Sequence, residues 1–152
     1  MARIRGGNLG VSRGFSKAVN KWTKATEERS TEAFQIGSLD FFLALRDETP
    51  ILTGFLRSSL TAGINGDIPS GAPNAYGSVS NDTEALGVFG RLKLGDKVTM
   101  AYRANYALRQ NYGFVGADSL GRFYNQAPKL WVEAVSARWV SIMRAAASRL
   151  RK

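Results

Sequence analysis

The stretch LKLGDKVTMAY, Leu92 to Tyr102, decides the fold class. Apolar residues alternate at Leu92 and Leu94, break at Gly95-Asp96, and resume at Val98, Met100 and Tyr102. A period of two belongs to strands, and a Gly-Asp pair between two such runs predicts a hairpin with one apolar face. Gly87 and Gly90, just upstream, predict a bulge or bend in its first arm.

The longest segments on either side carry helical spacing instead. From Phe15 to Arg46 the only Gly or Pro is Gly37, and Phe15, Val19 and Trp22 recur at helical intervals, as do Phe34, Phe41 and Leu45. This predicts one long helix with Ser16 as a cap for its first turn, Gly37 as the point of interruption if there is one, and Pro50 as its close. Its middle, TKATEERSTE (Thr23 to Glu32), is polar on nearly every face. A helix this long exceeds what a compact 152-residue chain covers, so part of it is expected to reach past the core, towards water or another subunit.

TPILTGFLRSSL, Thr49 to Leu60, reads as a Pro-led bend and a short helical turn leading into a strand at Leu60 to Ile64. Residues Asn65 to Glu84 are rich in Gly, Ser, Asn and Pro, which predicts a long flexible loop, either a hairpin tip or an assembly loop. Beyond the hairpin, a Gly-rich link (VGADSLGRFYN) leads to a second helix opened by Pro128. Its stripe is Trp131, Val135, Trp139, Ile142, Ala146 and Leu150. The expected architecture is α+β: an antiparallel β-sheet packed by a long N-terminal helix and a C-terminal helix. Residues 1–14, MARIRGGNLGVSRG, read as a flexible basic arm, and 15–152 as a single domain.

Composition narrows the function. The chain has neither cysteine nor histidine, which removes thiol nucleophiles, disulfides, ordinary zinc sites and every Ser-His or Cys-His dyad. Its acids are scattered, with adjacent pairs only at Glu27-Glu28 and Asp47-Glu48, and neighbours on a helix point about 100° apart. The expectation is a protein that is not an enzyme and uses no cofactor or metal. No apolar run approaches the roughly 20 residues that cross a bilayer, and no apolar stretch follows the basic N-terminus as a secretory signal requires. A soluble protein made in the cytoplasm, with no membrane partner, is expected.

The formal charge of +9 points to an anionic partner, nucleic acid or an acidic protein surface. Seven basic residues lie between Arg3 and Arg29, and seven more between Arg122 and Lys152, where Glu133 is the only acid. Arg3, Arg5, Arg13, Lys17 and Lys21 are the candidate contacts to DNA or an acidic partner. The glycine-rich pieces lack the Gly-Lys-Ser/Thr ending of a phosphate loop, and no recognition helix or zinc-finger spacing is present, so DNA contact would be non-specific and salt-sensitive. The segment NYALRQNYGF, Asn105 to Phe114, holds stiff amphipathic rings and a planar guanidinium, the chemistry of a subunit contact.

Three segments together resemble the small tail-component family of tailed bacteriophages, whose members are tail-completion, tail-terminator or neck proteins. TPILTGFLRSSL is similar to the family's (T)P-V-D-T-G-x-L-R-x-S signature at Thr49, Pro50, Thr53, Gly54, Leu56, Arg57 and Ser59, with Leu52 replacing the acid. Asn105 to Phe114 resembles its aromatic-Ala and Glu-x-Gly signature at Tyr106, Ala107, Tyr112 and Gly113, with Asn111 in place of the glutamate. APKLWVEAV, Ala127 to Val135, is similar to the family's entry into its last helix, with Trp131 in the aromatic role.

The resemblance implies a structural virion protein of the head-tail junction, a homo-oligomeric ring around the genomic DNA, a hexamer or alternatively a dodecamer. Neighbouring connector and tail-tube proteins would be its partners. Arg57, Tyr106, Arg109 and Tyr112 are the expected subunit-interface residues on one face, with the long helix and basic arm forming the other. The alternative is a small basic non-specific DNA-binding protein.

Overall fold

A computed structural model describes residues 13–51, 54–68 and 82–151. In chain order these form α1 (Arg13–Glu48), α2 (Phe55–Ser58), β1 (Leu60–Ile64), α3 (Asp82–Phe89), β2 (Val98–Tyr102), α4 (Ala107–Tyr112), β3 (Phe114–Ala117), β4 (Phe123–Gln126), α5 (Trp131–Ser136) and α6 (Trp139–Arg149). The fold is α+β.

α1 runs unbroken for 36 residues, about 54 Å at the α-helical rise. Ser16 lies inside it rather than capping it, and Arg13 and Gly14, expected in the arm, already belong to it. The rest of that arm lies outside the described residues. Gly37 does not interrupt the helix; α6 packs against it, and a Cβ there would meet the Met143 Sδ. α1 ends where the Thr49 hydroxyl bonds the Leu45 carbonyl at 2.6 Å, just before Pro50.

α6 runs antiparallel along the inner half of α1. Arg138 reaches Glu48 at 3.0 Å and Arg149 reaches Asp40 at 2.9 Å, while Phe41 meets Trp139 edge to face at 5.1 Å. The expected C-terminal stripe is recovered: Trp131, Val135 and Ala146 are buried, with Trp139, Ile142 and Leu150 at the margin. The helix starts at Trp131 rather than Pro128 and divides at Ala137-Arg138, where the Arg138 amide bonds the Val135 carbonyl and tightens the turn.

The expected hairpin from Leu92 to Tyr102 is corrected. β2 is a strand, but it pairs with β1, in the antiparallel register Leu60↔Tyr102 to Ile64↔Val98. Residues 82–89 instead form α3, because Ala85, Val88, Phe89 and Leu92 are spaced three, four and seven apart and all enter the core. Helical spacing runs through Gly87 to Gly90, so neither glycine marks the expected bulge or bend in a strand. Leu94 stands exposed in the turn before β2, where Asp96 accepts the Lys93 amide and Asn65 bonds both Asp96 and the Lys97 amide.

The Gly-rich link is also structured. β3 and β4 form a hairpin with register Phe114↔Gln126 to Ala117↔Phe123. Its turn is held by Asp118, which accepts the amides of Leu120 and Arg122, the Arg122 guanidinium and the Tyr124 hydroxyl. There are thus two small two-stranded sheets among the described residues rather than one larger sheet.

The main core gathers Phe42 and Leu45 of α1, Leu60 and Ala62 of β1, Ala85, Val88 and Phe89 of α3, Leu92, and Val135 of α5. Of the expected loop, residues 65–68 form a turn that folds back on β1 through an Ile64–Asp67 bridge, and 69–81 lie outside the described residues. That return passes so close that a Cβ on Gly63 would strike the Asp67 carbonyl. Gly63→Ala is therefore expected to cost about 1–3 kcal/mol in a urea melt, since backbone rather than a flexible side chain must move.

Candidate subunit-interface face

α4 is built from the segment NYALRQNYGF. Ala107, Leu108, Arg109 and Gln110 are strong helix formers, and Gly113 ends the helix at φ 79°. Its inner side packs on a small second core of Leu56, Ala104 and Trp131. Asn111, 3% exposed, ties it to the start of α5. Its side-chain oxygen accepts the Val132 amide at 3.2 Å, its side-chain nitrogen donates to Glu133 at 2.8 Å, and its carbonyl accepts the amides of Lys129 and Leu130, both at 3.0 Å. The first turn of α5 has no side-chain cap from its own N-cap residue, and Asn111 supplies an acceptor for one of its amides, that of Val132. Leu130 holds a left-handed φ of 53° at that junction.

The Tyr112 hydroxyl beside Glu133, and after that the bond from Asn111, hold its carboxyl below the ordinary glutamate range. The nearby carboxylate in turn pushes the Tyr112 hydroxyl up.

The outer side of α4 is different. Leu108 is 69% exposed and Tyr112 55%, one turn apart on the same side of the helix. They form the lips of a cleft of about 300 Å³ between α4 and α5, with Ala104, Asn111, Trp131 and Val132 among its walls. Beside it, the Arg109 guanidinium lies over the Phe114 ring at 4.3 Å, and Gln110 meets Gln126 at 2.7 Å, so α4 is tied to both strands of the β3–β4 hairpin. The hairpin turns Phe114 and Gln126 towards α4 and leaves Val115 and Phe123 exposed on its other face.

The four expected interface residues divide accordingly. Arg109 and Tyr112 stand on the exposed side. Tyr106 is half-buried and stacks on Phe55 at 6.0 Å. Arg57 turns to the end of α1, donating to the Asp47 carbonyl at 3.1 Å, where the helix carries negative partial charge. Thr49, Gly54, Leu56 and Ser59 of the same motif likewise serve the α1–α2 corner: Thr49, Leu56 and Ser59 are buried and Gly54 takes φ 79°. Leu52 and Thr53 lie outside the described residues, as do Arg3 and Arg5. Arg13 opens α1, and Lys17 and Lys21 are exposed on its outer half.

Sequence reasoning missed the Asn111–Glu133–Tyr112 clasp. One signal pointed at it: Glu133 is the lone acid of the last thirty-one residues. Among the described residues no group of three or more acids could hold a metal ion, and no helix is long and apolar enough to cross a membrane. Comparison of the chain with protein-family models, curated proteins and solved structures found no match.

Proposed function

We propose that the protein is a self-assembling structural subunit of the head-tail junction of a tailed bacteriophage, joining copies into a ring around the DNA channel. The observation that carries this reading is the α4–α5 cleft with Leu108 and Tyr112 as exposed lips. It is an apolar recess with aromatic and aliphatic rims, built from the two segments that resemble the tail-component family. Burying such rims against a neighbour is how interfaces gain most of their energy. A recess meeting a different surface on the next copy is a heterologous contact, which gives a ring when the rotation between copies closes. The resemblance favours a hexamer over a dodecamer, with connector and tail-tube proteins above and below.

The runner-up, a non-specific DNA-binding protein, draws on Lys17, Lys21 and Lys24, all exposed on α1. Sedimentation of the purified chain at low and high salt, with and without duplex DNA, separates the two. A closed oligomer that forms without DNA supports the ring. A monomer that binds duplex tightly and releases it as salt rises supports the alternative.

A further inference from the structure

β2 has one bonded edge and one open edge. The Arg103 amide donates to the Ser59 carbonyl and the Lys97 carbonyl accepts the Asn65 amide, so in this register the odd-numbered residues of 97–103 bond across to β1. The amides and carbonyls of Val98, Met100 and Tyr102 therefore point the other way. No described residue bonds them, and β2 has no second neighbour in its sheet. The far edge of β1 is closed by comparison: Leu60 to Gly63 are all buried, and the 65–68 turn folds back on Ile64.

Beside the open edge lies an apolar recess of about 390 Å³, walled by Phe41 of α1, Val98 and Met100 of β2, and Ser136 and Trp139 at the joint of α5 and α6. No β1 residue is among its walls; it continues the core face past β2. Val98 and Met100 turn their side chains to that face. A strand added along the edge would set its alternate side chains on the same face, over Phe41 and Trp139. Bare backbone and recess are two parts of one strand-shaped site.

The flanking charge selects the strand. Lys97 and Arg103 stand three residues either side of Met100, on the opposite face of the sheet from the recess by alternation, and neither forms an ion pair with a described residue. A second copy of β2 laid along the whole edge would set like charges together at both ends. Lys97 would meet Arg103 if the copies ran antiparallel, and each would meet its own kind if parallel. No other part of this chain supplies the complement either. Cations three residues from the centre call for acids six apart, and no two of the chain's acids have that spacing. The occupant is a different protein.

We infer that the open edge of β2 takes an extended segment of a second protein as an added antiparallel strand. Its acids, six residues apart, face Lys97 and Arg103, and an apolar residue midway between them lies opposite Met100 and enters the recess. The site lies apart from Leu108 and Tyr112 and does not depend on the ring.

The probe is a labelled, end-capped peptide, Glu-Val-Thr-Val-Thr-Val-Glu, beside a twin with lysine at both ends. Both are offered to the full-length chain and to its Leu108→Asp variant, so that ring assembly and strand pairing are read separately. The glutamate peptide is expected to bind at least tenfold tighter than its twin, and Lys97→Glu combined with Arg103→Glu to reverse that order. The wild-type comparison needs no substitution, so it stands even where the double variant does not fold. Binding is expected to slow amide exchange at Val98, Met100 and Tyr102 while leaving Thr99 and Ala101, already bonded to β1, unchanged. N-methylation of the central valine, whose amide faces β2, is expected to weaken binding at least tenfold; N-methylation of the threonine beside it, whose amide faces away, is not. No binding at about 1 mM peptide, equal binding of the two peptides, bound peptide that leaves the three amides unprotected, or equal loss from both methylations overturns the inference. So does finding those three amides already protected in the free chain at every dilution.

Discussion

Trp131→Ala is expected to lower the unfolding free energy by about 3–5 kcal/mol, read as a lower urea midpoint at unchanged slope. The indole is 4% exposed and stands edge-on to Tyr102 at 5.7 Å and 88°. Its Nε1 donates to the Tyr102 hydroxyl at 3.0 Å, and that hydroxyl also meets the Thr49 hydroxyl at 2.6 Å and the Leu45 carbonyl at 3.1 Å. One ring therefore holds α5, β2 and the end of α1 together. Removing it opens a cavity beside a phenol that is itself buried enough for its pKa to be pushed up. Trp131→Phe fills most of the space and loses only the hydrogen bond, so about 1 kcal/mol is expected there. A Phe variant as damaging as the Ala variant would show that the polar network, rather than the packing, holds the corner.

Asn111→Asp, with almost the same shape, is expected to cost about 2–4 kcal/mol at neutral pH because it sets a carboxylate at a nearly fully buried position. Its neighbour is the Glu133 carboxylate, which Asn111 now meets with a donor at 2.8 Å. Burial and the like charge raise the folded-state pKa of the new aspartate above its unfolded value. The penalty is therefore absent below the unfolded value and grows as pH rises through the folded one. The wild-type clasp runs the other way. Glu133 has a lowered pKa, chiefly through the Tyr112 hydroxyl and then Asn111, so its contribution is present above the ordinary glutamate range and is lost as acid protonates it. Urea midpoints between neutral and acid pH should converge for the two proteins. Parallel curves would contradict the clasp.

Much of the scaffold was legible because it rests on spacing. Phe41 and Leu45 of α1, and Trp131, Val135 and Ala146 near the C-terminus, sit on the faces their periods indicate. The strand Leu60–Ile64 was legible too, though its partner was not. Leu92 and Leu94 mimic a strand across only three residues, whereas Ala85 to Leu92 carry a helical period that Gly87 and Gly90 conceal. The β3–β4 hairpin escaped notice because its order comes from one side chain, Asp118, gathering four donors around a turn. Arg57 and Tyr106 have residue types that suit an interface, yet the α1–α2 corner and Phe55 account for where they point. Residue type alone does not say which way a side chain faces.

The central claim is that the α4–α5 cleft joins copies of this chain. The most direct measurement is native mass of the wild-type protein beside Leu108→Asp, with thermal melts run in parallel. Leu108 lies on the rim and outside both cores, so the variant is expected to melt as the wild type does while its ring falls to single chains. A variant that keeps the wild-type mass, or a wild type that never exceeds a dimer at any salt concentration, would contradict the account.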